Sequence, residues 1–97
     1  NNKDWTEAIG QRISGGEKHR LHLAIMMHRF SRSTNKILIL DEPETGSDIE
    51  TAIRMIENIF NTFSDKTIIL TTHRDEIKER FNWNCRLLVE DGIIRQL

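Results

Sequence analysis

Apolar residues fall along this chain in runs with two different periods. Ile37-Leu38-Ile39-Leu40 is short and continuous, and it leads straight into Asp41, Glu42 and Pro43. Four apolar residues without alternation predict a strand buried on both faces, as in a parallel sheet covered by helices. Pro43 has no backbone N–H to offer a neighbouring strand, so the strand should stop there. A second β-branched run occupies 67–72. Other stretches follow the helical period. Ser14 can cap a helix reaching about Arg32, with Glu17 placed three residues on as in a capping box. Leu21, Ala24, Ile25, Met27 and Phe30 form its expected apolar stripe, widened by Leu23 and Met26. Asp48 can cap a second helix to about Ser64, with Glu50 in its first turn. Ile49, Ala52, Ile53, Ile56, Ile59, Phe60 and Phe63 keep its stripe to one side.

The remaining elements are shorter. A helix is expected over 74–81 and a strand over 85–90. Asp91-Gly92 is a two-residue hairpin signal, with a return strand over 93–96. Strand, helix, strand, helix, strand order implies right-handed parallel crossovers and an α/β fold. Residues 1–12 are polar, and Trp5 to Ile9 make at most one helical turn or an irregular lead-in. The whole reads as half of a larger α/β sheet preceded by a helical arm. A parallel sheet without its other strands exposes edges and apolar faces, so self-association, domain swapping or a rearranged edge is expected of the chain alone.

Composition narrows the class. The chain has 97 residues, 37% apolar and 30% charged, with a net charge of −1. That length suits one small domain burying about 60–65% of its unfolded surface. Near-neutral charge gives no global field for nucleic acid or an anionic membrane. The single cysteine, Cys85, excludes an internal disulfide and fits a reducing compartment. No apolar run approaches the roughly 18–20 residues of a membrane span. The first residues carry no secretory signal pattern.

Candidate chemistry sits at the strand ends and at the first helix start. Asp41 and Glu42 leave a buried strand at its carboxyl end, where open α/β sheets place ligands. Adjacent residues there point in roughly opposite directions, so one acid can hold a hard cation while the other faces a water. A solvated acidic pair is the plain alternative. His73 follows the second strand and could donate to a phosphate oxygen, or be an exposed structural histidine. Ser14-Gly15-Gly16 at a helix start could admit a phosphate, or simply cap the helix. His19 and His22 lie three apart on a helix, but no third ligand makes them a metal clip. Cys85 reads as a small buried hydrophobe opening its strand, and Trp5 and Trp83 as packing anchors.

Taken in order, these pieces resemble the ATP-binding-cassette (ABC) ATPases. Ile13-Ser14-Gly15-Gly16-Glu17 is similar to the LSGGQ signature, and Lys18 to Ala24 to its helical continuation. Ile37 to Asp41 resembles the Walker B strand, with Glu42 in the place of the catalytic glutamate. Glu44 to Asp48 corresponds to the D-loop and His73 to the switch histidine. Asp91-Gly92-Ile93-Ile94 resembles the closing hairpin of the transporter branch. The likeness spans about residues 10 to 95. It departs in Glu17, where the family has glutamine; in Ile25-Met26, where it has arginine; and in a D-loop reading Glu-Thr-Gly-Ser-Asp. No G-x-x-x-x-G-K-[ST] loop is present.

The resemblance implies a partial P-loop NTPase fold of the ABC type, with mainly parallel strands, flanking helices and a C-terminal hairpin. Residues 1–97 would be the C-terminal half of the domain, with 1–35 the signature helix region and 36–97 running from Walker B to the hairpin. It implies that Asp41 binds Mg2+, that Glu42 polarises the hydrolytic water and that His73 contacts the γ-phosphate. Ser14, Gly15 and Gly16 would face the γ-phosphate of ATP held by a second nucleotide-binding domain; Glu17 would bring a carboxylate to that nucleotide and weaken the contact unless it hydrogen-bonds ribose. Ser47 and Asp48 would link the two sites of a head-to-tail dimer. The implied function is ATP hydrolysis energising a transmembrane transporter from the cytoplasmic face. A chromosome-maintenance or DNA-repair ATPase head, whose partner would be nucleic acid, is the alternative, as is a non-catalytic half-domain supplying its signature in trans. Alone, the chain is expected to be inactive.

Overall fold

The structure is a computed structural model that describes residues 15–97. The expected N-cap Ser14, together with Ile13 and the Trp5 to Ile9 lead-in, lies outside the described residues. Seven elements follow: α1 (Gly15–Ser31), β1 (Ile37–Asp41), α2 (Ile49–Thr62), β2 (Thr67–Thr71), α3 (Asp75–Arg80), β3 (Leu87–Glu90) and β4 (Ile93–Gln96). Strands β1 and β2 pair in parallel, with Ile37 opposite Thr67 and Asp41 opposite Thr71. Strands β3 and β4 form a separate antiparallel pair, Leu87 opposite Gln96 and Glu90 opposite Ile93.

Burial of β1 alternates. Leu38 and Leu40 are buried, at 5% and 1% exposure, whereas Ile37 and Ile39 are 57% and 60% exposed. The expectation of two buried faces is therefore corrected. The reason is placement of the helices: Phe30 of α1 and Ile59 of α2 both pack with Leu38, Leu40, Ile68 and Leu70. Among the described residues nothing covers the face carrying Ile37, Ile39 and Ile69. A continuous apolar run identifies a strand but cannot say which of its two faces a neighbour reaches.

Two cores hold the layer together. One joins Phe30, Leu38, Leu40, Ile59 and Phe63, with Leu23 and Met27 against it. In it Phe30 and Phe63 meet edge-on, centroids 5.1 Å apart. The α1 stripe is thus Leu23, Met27 and Phe30, at spacings of four and three. Ala24, Ile25 and Met26, placed on the stripe by sequence, are exposed. The second core joins Ala52 and Ile56 of α2 to Ile77 of α3. Phe60, Phe81 and Trp83 close it with three edge-on ring contacts. Trp83 is the packing anchor expected, and its indole N–H donates to the Lys78 carbonyl at 2.9 Å.

Local signals account for the ends of several elements. Asp48, in extended conformation, caps α2, its carboxylate accepting from the Thr51 N–H at 3.4 Å, which is long for such a bond. Asp91 and Gly92 have φ of +52° and +76°, the pair of positive values a two-residue hairpin turn requires. Cys85 is exposed and precedes β3, contrary to its reading as a buried opening residue. The second parallel crossover expected from element order is not formed, because β3 pairs with β4 and not with β2. Leu87, Val89, Ile93 and Ile94 of this hairpin are exposed.

One-sided burial makes opposite demands on neighbouring residues. Leu40→Ala should destabilise the chain by about 2–5 kcal/mol, since it empties a filled core site. Ile39→Ala should change stability by no more than about 0.5 kcal/mol. Denaturant titration of both variants checks the contrast.

Candidate functional site

The parallel register brings the ends of β1 and β2 side by side. Asp41, opposite Thr71, accepts a hydrogen bond from the Thr71 hydroxyl at 2.6 Å. The next backbone N–H, that of Glu42, donates to both the Thr71 carbonyl and the Thr71 hydroxyl oxygen, each at 3.0 Å. Thr71 therefore ties both acids to the end of β2. Sequence reasoning counted it only as a strand residue. A threonine at the last paired position of a strand beside an acid is the signal that was available.

Glu42 then turns back over this edge. Its φ is +47°, in the left-handed region that a side chain adopts only at a cost. The turn is held by Thr45, whose N–H and hydroxyl both donate to the Glu42 carbonyl, at 3.1 and 2.9 Å. This bend brings the Glu42 carboxylate to His73, with Nε2 2.7 Å from Oε1. The His73 side chain is 91% exposed and that of Glu42 40%, so the pair lies open to solvent. An exposed pair of this kind contributes little to stability. Two acids and an imidazole thus meet at one strand edge, as their positions in the chain predict.

The start of α1 reaches the same loop from the other side. A Cβ on Gly16 would lie 2.1 Å from the Gly46 carbonyl oxygen, and one on Gly46, where φ is +79°, would lie 2.8 Å from the Gly16 Cα. The two glycines therefore let two stretches of backbone touch. Arg20 Nη1 donates to the Ser47 hydroxyl at 3.1 Å, and His19 Nε2 lies 3.2 Å from the Pro43 carbonyl oxygen. Gly15 has open space on its Cβ side. Glu17 is exposed in the first turn of the helix. Ser14 lies outside the described residues.

One buried acid was missed. Glu44 is 5% exposed and accepts a short hydrogen bond from the Thr72 hydroxyl through Oε2. Its Oε1 is buried and accepts no hydrogen bond among the described residues. Nothing in the sequence marks it, because a glutamate in a polar loop normally faces water.

No family model matches the chain. It is 37% identical over 92 residues to a glutathione/L-cysteine transport system ATP-binding/permease protein of Haemophilus influenzae, covering 91% of this chain and 15% of that protein. It is 33% identical over 110 aligned positions to the mitochondrial iron-sulfur clusters transporter of Yarrowia lipolytica, covering 96% and 15%. A solved SMC ATPase, described for ATP-driven dimerization and DNA-stimulated activation, superposes with a TM-score of 0.70. It is 17% identical, over 90% of this chain and 54% of its own, and so shows the fold. The chain belongs to the ATP-binding-cassette ATPases. It spans about one-seventh of the length of these transporter relatives.

In an ABC ATPase segment the geometry above takes on family labels. By the resemblance, Gly15–Glu17 correspond to the signature helix start, β1 to the Walker B strand, 44–48 to the D-loop and His73 to the switch position. The signature start and the D-loop of this ABC chain are in backbone contact through Gly16 and Gly46. Among the described residues no cluster of three or more acidic, histidine or cysteine side chains could hold a metal. Magnesium needs none, since it binds through one or two carboxylates plus waters and phosphates. Asp41, exposed and oriented by Thr71, fits that donor set.

Gly16→Ala should destabilise the chain by about 1–3 kcal/mol, because the methyl group meets backbone. Gly15→Ala should be neutral or stabilising by up to about 1 kcal/mol. Denaturant midpoints check both. Hydrogen bonds from Thr51 hold the Asp48 carboxyl below its ordinary value of 3.8. Its stabilising effect is thus present above that value and lost as pH falls through the lower, folded one. Asp48→Asn keeps a capping oxygen without the titration, so its melting temperature should fall less than the parent's from about pH 4 to about pH 2.

Proposed function

We propose that this chain supplies the signature and Walker B side of an ATP-hydrolysing domain, and that the work driven is membrane transport. The observation that carries the reading is the Glu42–His73 pair at 2.7 Å beside an Asp41 held by Thr71. A base, a hydrogen-bond donor and a metal ligand share one strand edge, the set that phosphoryl transfer to water uses.

Each residue then has one task. Asp41 is the Mg2+ ligand. The ion, when bound with ATP, neutralises charge on the phosphates. Glu42 orients and polarises the attacking water. His73 Nε2–H rests on the Glu42 carboxylate and transfers that hydrogen bond to the γ-phosphate when ATP arrives. Ser14, Gly15, Gly16 and Glu17 face the ATP of a second nucleotide-binding domain in a head-to-tail dimer. Ser47 and Asp48 carry the D-loop contact across that dimer. Because Gly16 touches Gly46, a displacement at the signature passes directly to the loop that bears Glu42.

Transport is favoured by the relatives' names: a glutathione/L-cysteine transport system and an iron-sulfur clusters transporter. The partner is then a transmembrane transporter subunit or domain, and the site is peripheral to the cytoplasmic face. Among the described residues no helix is long and apolar enough to cross a membrane. The chromosome-maintenance alternative has Glu17 and a fold neighbour at 17% identity in its favour, and that likeness supports the fold alone.

In the intact protein carrying these residues, Glu42→Gln should lower the ATPase kcat by about 10²–10⁴-fold. It should leave ATP binding within about threefold, because the change keeps size and removes only the base. The 97-residue chain alone should show no turnover. Turnover that survives Glu42→Gln would remove Glu42 as the base.

A further inference from the structure

We infer that Glu44 is a positioning residue that fixes His73 against Glu42. The clamp is made of two hydrogen bonds that bracket the histidine. The Thr72 hydroxyl donates to Glu44 Oε2 and accepts from the Arg74 N–H at 3.0 Å. A side-chain oxygen that accepts the N–H two residues on closes a local turn, and the residue inside this turn is His73. Glu44 locks the hydroxyl that closes it.

His73 needs such a device. Its side chain is 91% exposed, and its bond to Glu42 is between exposed groups. Packing does not hold the ring, so the backbone beneath must. Glu44 lies two residues after Glu42, and thus one loop carries both the carboxylate that His73 meets and the acid that orients the turn below it.

The burial of Glu44 points the same way. A carboxylate at 5% exposure with one oxygen unpartnered among the described residues is costly, and an apolar side chain of similar volume would serve packing better. What the apolar residue could not do is accept from Thr72.

The inference rests on the ATPase reading for its kinetic consequence but not for its geometry, and the test separates the two. The intact protein carrying these residues is compared with Glu44→Met, Glu44→Gln, Thr72→Val and Thr72→Ser. Hydrogen exchange of a peptide spanning residues 72–76 should speed up by about tenfold in Glu44→Met and stay near the parent rate in Glu44→Gln, which keeps an acceptor. The ATPase kcat should fall at least about tenfold in Glu44→Met, with KM for ATP within about twofold. Thr72→Val should reproduce that kcat loss, and Thr72→Ser should restore the parent value. If Glu44→Met does not fold, the two Thr72 variants carry the test. Unchanged exchange and kcat in Glu44→Met, or unchanged kcat in Thr72→Val, would overturn the assignment. A parent protein without ATP turnover would remove the ATPase reading alone, and the exchange rates would still decide whether Glu44 holds the turn.

Discussion

The register of two parallel strands sets the rest of this structure. Pairing Ile37 with Thr67 carries Asp41 to Thr71, and from that one match come the orientation of Asp41, the double hydrogen bond of the Glu42 N–H and the approach of His73. A slip of one residue would turn the Leu38 and Leu40 side chains out of the core. It would also take the Thr71 hydroxyl away from Asp41. Core packing and site geometry are therefore specified by the same alignment, with the buried leucines enforcing the position of the polar groups beyond them.

The loop between β1 and α2 is where separate parts of the fold converge. Toward α1 it offers the Gly46 backbone, the Pro43 carbonyl and the Ser47 hydroxyl, met by Gly16, His19 and Arg20. Toward β2 it offers Glu44 to Thr72, and toward solvent it presents Glu42. Asp48 then ends the loop by capping α2. With so many partners in so few residues, the loop has little freedom to move apart from α1 or from the segment bearing His73. The start of α1 and the acids form one mechanical unit within this chain.

Much of this was legible in the residues because the signals are local. A strand stops just ahead of a proline, an aspartate starts α2, and Asp91-Gly92 turns a hairpin. These follow from backbone chemistry that acts within a few positions. The acids and His73 were legible because strand ends in α/β folds place side chains at a common edge. What was not legible depends on distant neighbours. Whether Ile39 is covered depends on what lies above it, and in the described residues all the helices lie on the other side. The true α1 stripe depends on where Phe63 and Leu38 stand. Glu44 looks like any loop acid until the fold closes over it. The reading of Gly16 shifts for the same reason: its missing side chain makes room for Gly46 whatever else approaches that helix start.

Glu42 occupies a backbone conformation that suits glycine better than glutamate. Locally, the fold would gain from losing the side chain to which the proposed chemistry assigns the water. A laboratory selection for heat resistance alone would find glycine here an easy gain and would return a sturdier protein without the carboxylate that meets His73. A selection that also kept this carboxylate would have to find its stability elsewhere, for example at the exposed face of β1, where no described element covers Ile37 and Ile39.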